Sequence, residues 1–515
     1  MIASNQLKAK KKQGGLVLLV LVIVIFLAVS TFYLTSVSVV EIKVDKAEKT
    51  QAVLKRARQA LLDYAVSNWR RAGDDGNIGR LPCPDYNDNN AEGEQDGACG
   101  NAYANAIGYL PWRKLGLERL IDSSGSCLLY AVSPAYKNSP ESALSPDSFG
   151  QFRFVDNAGM TLQGVLPEDR PVAVIIAPGS TLPGQVRQSN AGIFCGSYYG
   201  NDIATLIAAY LDNNGVTNNA GIDPATDNVI ENIVDSYPGS DEGNNPLNDR
   251  VITITHREFW AAVQDSYTGT EFEDKMEYLT EALTRCLVKY AEYNFINSTP
   301  AGKKSLPWPA ALNVNGNEYR NSFSYDDNPD HNFGHAGRLP YQVSKSNGII
   351  GNGLASVGFI EYGFCSAIVM SDASIVNLND INGEYWNLWS NWKESFFYVL
   401  STAYDPDNDG SGCGSCIQLN GDKAGIVFYA GEKQPGQQRY SPPFDAALAI
   451  DAVDDKDEVS NYLENNNAAD FPDDAGNLPA GDGSRTFEIV SVTSNDIMFC
   501  IAMDASNNFV VSECL

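Results

Sequence analysis

The chain has 515 residues, with 36 Lys and Arg against 64 Asp and Glu and a formal net charge of −28. That acidic excess argues against nucleic acid as a partner, because a polyanion would meet a surface of its own sign. The length leaves room for two or more domains. Ten cysteines, with one CxxC and no second to complete a four-ligand zinc set, read as disulfides of an exported protein.

Lys8, Lys10, Lys11 and Lys12 precede Gly14 and Gly15, every side chain from Leu16 to Val29 is apolar, and no charge follows until Glu41. As a helix the uncharged run covers roughly 37 Å, against a hydrocarbon core of about 30 Å, so a single membrane span is expected. The lysines hold its start in the cytoplasm and send the bulk of the chain across. The run outlasts the apolar region of a cleaved secretory signal, roughly 7 to 15 residues. From Glu41 to Arg71 there is no Pro or Gly, and Val53, Leu54, Ala57, Leu61, Tyr64 and Trp69 recur at helical spacing. The helix is therefore expected to continue as an amphipathic element until Gly73 and Gly76.

Leu81-Pro82-Cys83-Pro84 follows, then an acidic loop from Asp85 to Gly97. Asp85, Asn87 and Asn89, with Asp96, form a reduced cation-loop pattern that lacks the turn glycine, and Cys83 with Cys99 would close the loop.

The order of these pieces is similar to a known group. A long N-terminal helix carrying Ala60-Leu61-Leu62-Asp63-Tyr64-Ala65 comes first, then Gly79-Arg80-Leu81-Pro82-Cys83-Pro84, Leu110-Pro111-Trp112 with Leu115-Gly116, and Leu129-Tyr130-Ala131-Val132. Val174 to Gly179, Pro183-Gly184-Gln185 and Asn248 to Thr255 extend the series to about Val263. It resembles prepilin-like proteins of the type IV pilus and type II secretion superfamily.

The resemblance implies a leader, residues 1–15, cut at Gly14 or Gly15 by a prepilin peptidase, with methylation of the new terminus at position 15 or 16. It implies a single-pass inner-membrane subunit, later part of a periplasmic or cell-surface filament, whose partners are other pilin or pseudopilin subunits. Most pilins carry a glutamate at the fifth mature position, pairing a neighbour's amine. Here Leu19 or Val20 stands there, as in tip pseudopilins and some minor pilins. Cys500 and Cys514 resemble the closing disulfide of many pilin heads.

The second half repeats the first. Leu61-x-x-Tyr64-Ala65-x-x-Asn68 recurs as Leu287-x-x-Tyr290-Ala291-x-x-Asn294, and Leu81-Pro82-x-Pro84 as Leu306-Pro307-x-Pro309. Gly108-x-Leu110-Pro111 recurs as Gly337-x-Leu339-Pro340, and Tyr130 to Tyr136 as Tyr398 to Tyr404. Pro183-Gly184-Gln185-x-Arg187-x-Ser189 recurs as Pro435-Gly436-Gln437-x-Arg439-x-Ser441, and Arg250 to Thr255 roughly parallels Arg485 to Val490. Long-period self-similarity in one order marks duplicated structural units.

A helix of about 27 residues is expected after the capping box Thr270-x-x-Glu273. Arg250 to Thr255, Thr486 to Val492 and Val172 to Ala177 read as strands. The expected fold is α+β: a long membrane-spanning helix (16–72), then two pilin-like lobes (73–265 and 266–515), each a helix on an antiparallel sheet.

Asp405, Asp407 and Asp409 ahead of Gly410 have the D-x-D-x-D-G form that gathers carboxylates round calcium, with a solvated turn as the alternative; the twelfth position is Cys416, not glutamate. Asp326, Asp327 and Asp330 beside His331 and His335 read as a polar loop. Cys127 with Cys195 and Cys286 with Cys365 are paired on no local argument, and Cys413 with Cys416 reads as structural. No nucleophile, zinc-protease or phosphate-loop motif occurs, and only three histidines exist. The expected function is a minor pilin or pseudopilin, a structural subunit at or near a filament tip whose two heads bind an unknown surface or secreted ligand. An anchored adhesin or sensor outside any filament is the alternative.

Overall fold

A computed structural model describes residues 14–68, 79–85, 92–139, 144–156, 158–187, 195–196, 203–213, 218–223, 225–226, 229–235, 247–265, 271–297, 304–312, 335–340, 342–343, 357–358, 365–380, 383–406, 417–419, 421–439, 456, 458–469, 471 and 495–514.

Helix α1 (Gly14–Asn68) opens the chain. Its later turns bury Leu54, Ala57, Leu61 and Ala65, the 3–4 spacing of one helical face, against the first sheet. The membrane-spanning part of the expected fold is corrected. Among the described residues, no helix is long and apolar enough to cross a membrane. The single-pass inner-membrane location drawn from that span is withdrawn with it.

The first sheet is antiparallel in the order β1 (Ala106–Tyr109), β2 (Leu129–Val132), β5 (Pro171–Ala177), β7 (Arg250–Thr255). β5 is buried along its whole length, which is why its sequence, PVAVIIA, is continuously apolar. A smaller sheet beside it is β4 (Thr161–Gln163), β3 (Phe152–Val155), β6 (Glu231–Val234), and there β3 and β6 run parallel. α2 (Ile203–Tyr210) covers β1, and α3 (His256–Gln264) leaves β7 through a capping box in which Thr255 and Glu258 cap each other's backbone.

α4 (Glu271–Asn297) opens the second half and packs on a five-stranded antiparallel sheet. That sheet is β8 (Ala336–Arg338), β13 (Phe396–Leu400), β16 (Gly425–Tyr429), β17 (Ile497–Met503), β18 (Phe509–Glu513). Two-stranded ribbons join β9 (Gln342–Val343) to β10 (Val357–Gly358), β11 (Ile368–Val369) to β12 (Ile375–Val376), and β14 (Ile417–Gln418) to β15 (Asp422–Lys423). α5 (Glu384–Trp392) and the short α6 (Asn465–Ala469) lie in the same half.

The two large sheets share register as well as order. Gly108 faces Tyr130 across β1 and β2, and Gly337 faces Tyr398 across β8 and β13. Tyr130 then faces Ile175, and Tyr398 faces Val427; Ile175 faces Ile252, and Val427 faces Phe499. The counterpart of β7 is thus β17. Residues 485–492, expected as that strand, lie outside the described residues, as does Thr270.

The expected architecture of two lobes, each one helix on one antiparallel sheet, is corrected to a mixed α/β fold with several sheets, one containing a parallel pair. One buried cluster runs from Leu54 and Tyr130 through Trp260 and Met276 to Trp392 and Tyr398, so the halves share a core. Trp260 and Trp392 meet edge to face across it at 5.9 Å.

Candidate functional site

The most exposed apolar surface among the described residues is the start of the chain. Leu18 to Leu27 and Val29 are each between 49% and 71% exposed. Soluble surfaces seldom present apolar side chains in one unbroken run, so this stretch of α1 calls for a partner. Gly14, Gly15 and Leu16, the expected cleavage residues, form the first positions of the same helix.

The expected cation loops are only partly within the described residues. Asp85 is buried and its carboxylate accepts the Gly93 N–H at 2.7 Å across the acidic loop; Asn87 and Asn89 lie outside the described residues. Asp405 is buried and meets His335 Nε2 at 2.9 Å, joining two loops read separately in the sequence. Asp407, Asp409, Asp326, Asp327, Asp330 and His331 lie outside the described residues. Among the described residues, no group of three or more His, Cys, Asp or Glu could hold a metal ion.

Disulfides join Cys83 to Cys99, Cys127 to Cys195, Cys286 to Cys365 and Cys500 to Cys514. The third ties α4 to the segment before β11, and the fourth pins β18 to β17. Cys413 and Cys416 lie outside the described residues.

The repeated Pro-Gly-Gln-x-Arg motif builds the same clamp twice. Gly184 and Gly436 sit at φ +97° and +100°, a left-handed turn that needs glycine. The turn brings Gln185 Oε1 back to the Leu182 N–H at 3.0 Å, and Gln437 Oε1 back to the Gln434 N–H at 2.8 Å. Arg187 donates to that glutamine oxygen at 2.9 Å, to the Gly179 carbonyl at 2.7 Å and to the Tyr210 carbonyl at 3.3 Å. Arg439 donates to Gln437 Oε1 at 2.9 Å, to the Gly431 carbonyl at 2.8 Å and to the Tyr462 carbonyl at 3.0 Å. Each guanidinium also lies over a ring, Tyr210 at 4.8 Å and Tyr462 at 4.9 Å. A planar fork that satisfies carbonyls while stacking on an aromatic is structural chemistry, and it locks the end of the sheet to the segment after it.

Between the halves lies a buried ionic seam. Arg80 Nη2 donates to Asn391 Oδ1 at 3.1 Å, Ser145 Oγ donates to Glu394 at 3.3 Å, and Lys456 pairs with Glu394. Burial pushes the Lys393 ammonium down to about 7, with Glu394 opposing. His256 is held at the seam's edge, its Nε2 2.7 Å from the Pro146 carbonyl; burial pushes it down to about 4.

No protein family, no curated protein and no solved structure matches this chain. The pilin and secretion-system terms that the resemblance implied therefore gain no support outside the sequence.

Proposed function

We propose that the chain is a structural rather than catalytic subunit: α1 assembles it with further copies or related subunits, and the fused double head is displayed for partner or surface contact, in the manner of a minor pilin or pseudopilin. The observation that carries the reading is the unbroken exposed apolar run from Leu18 to Val29 on a helix whose later turns are built into the head. Burying one such side chain contributes about 1.5–3 kcal/mol, so a few turns packed between neighbouring helices suffice for association. The four disulfides among the described residues and a shared core support a head that keeps its shape in an oxidising setting. The test is sedimentation and electron microscopy of the purified chain beside Ile23→Asp. The reading expects assemblies from the first and dispersed subunits from the second; equal assembly of both defeats it.

A further inference from the structure

We propose that each half carries a two-carboxylate clasp, Asp212 with Asp249 and Glu464 with Asp496, in which the buried aspartate keeps its proton at neutral pH, and that fastens the strand on which that half's long helix packs, its hold weakening as pH rises toward loss of that proton. The inference stands on the head alone and does not depend on assembly.

The two clasps are the same construction. Asp249 immediately precedes β7, on which α1 packs, and Asp496 immediately precedes β17, on which α4 packs. Asp249 Oδ2 accepts the Asp212 N–H at 2.8 Å and the Asn219 side-chain amide at 2.9 Å. Asp496 Oδ2 accepts the Glu464 N–H at 3.2 Å and the Asn467 side-chain amide at 3.0 Å. In return, Asp212 Oδ2 accepts the N–H groups of Asn248 and Asp249 at 2.5 and 2.7 Å, and Glu464 Oε2 accepts that of Asn495 at 3.3 Å. Asn248 and Asn495 anchor the same turn outward, to the Ser180 carbonyl at 2.6 Å and the Glu432 carbonyl at 2.7 Å.

Burial makes the proton necessary. Asp249 and Asp496 are fully buried and Asp212 is 3% exposed, with its Oδ1 enclosed and given no hydrogen-bond donor. An ionised oxygen left so is costly, and a buried carboxylate beside a second acid favours its protonated form; in the second clasp Asp496 is the buried member and Glu464 is half-buried. The first clasp is faced by Arg187, and Arg250, the residue after Asp249, is paired with Asp235 at 3.0 Å. The second is faced by Asn467 of α6 and by Gln437, whose amide lies 3.4 Å from Glu464 Oε1.

Burial first, then the facing Asp212, push Asp249 well above the usual carboxylate range. Burial and then Glu464 push Asp496 up to about 8. A raised acid in the folded state keeps a proton that the unfolded chain releases near pH ~4. The stabilisation is therefore whole below about 4 and fades as pH rises toward the folded value.

The experiment uses the full chain, dispersed in mild detergent. The infrared band of a protonated carboxyl is followed from pH 6 to 9, beside hydrogen exchange of β7 and β17 corrected for intrinsic rate. The proposal expects the band at neutral pH, its loss toward pH 9, and protection that falls by up to about tenfold per pH unit while the proton is held and levels off once it has left. Asp249→Asn and Asp496→Asn should each remove the band's share and flatten the profile of their own strand. Absence of the band, or protection in β7 and β17 that ignores pH, overturns it, and both are read on the natural chain whether or not the variants fold. Restoration of protection at pH 9 by calcium, with chelator reversing it, also overturns it, since a metal and not a proton would then be the occupant.

Discussion

Arg80 of the first half donates to Asn391 Oδ1 of the second at 3.1 Å, and the Leu144 N–H shares that oxygen at 3.0 Å. A single amide oxygen thus receives a buried cation from one side and a backbone donor from the other. The halves are joined by chemistry that neither could satisfy alone.

Asn391→Leu should destabilise both halves together. Loss of a hydrogen bond to a buried charged group costs about 1.5–3 kcal/mol. Calorimetry should show one transition moved to lower temperature, and a second, separate transition would show that the halves unfold independently.

The two arginine clamps make a graded prediction. Arg439 is 2% exposed and Arg187 is more accessible, so Arg439→Lys should cost more than Arg187→Lys. The lysine carries charge without the planar fork. Unfolding free energies from denaturant titration are expected to differ by about 1 kcal/mol or more, and equal values would refute the ranking.

His256 supplies an acid-side sensitivity of opposite sign to the carboxylate clasps. Its folded value, pushed down to about 4 by burial, lies below that of an unfolded histidine. Between those values the unfolded chain binds the additional proton, so this contribution is whole above about pH 6.5 and is lost as pH falls toward 4. The wild-type chain should lose about 3 kcal/mol across that window relative to His256→Gln; parallel stability curves for the two would contradict the assignment.

Much of the pairing was readable because duplicated short motifs carry turn and register information. Gly108 and Tyr130 face each other as Gly337 and Tyr398 do, and Pro-Gly-Gln-x-Arg folds alike at both places. The end of the second sheet was misplaced because β17, IMFCIAM, is a buried apolar run without the alternation that draws attention to a strand. The Thr255-x-x-Glu258 capping box is masked in the sequence because the strand turns directly into the helix there, with no loop between them. The carboxylate clasps were illegible for a different reason: 64 acidic residues offer countless pairs, and only the fold selects Asp212 with Asp249. The membrane span was inferred from hydropathy of an isolated run, which speaks to length and polarity but not to what the exposed side chains meet.

The central claim is that α1 buries its exposed start against other subunits. The direct measurement is thiol labelling of Phe26→Cys, at a position 71% exposed in the single chain. Rapid labelling of dispersed subunits with strong protection after assembly is the predicted result; labelling at the same rate in both states would contradict the account.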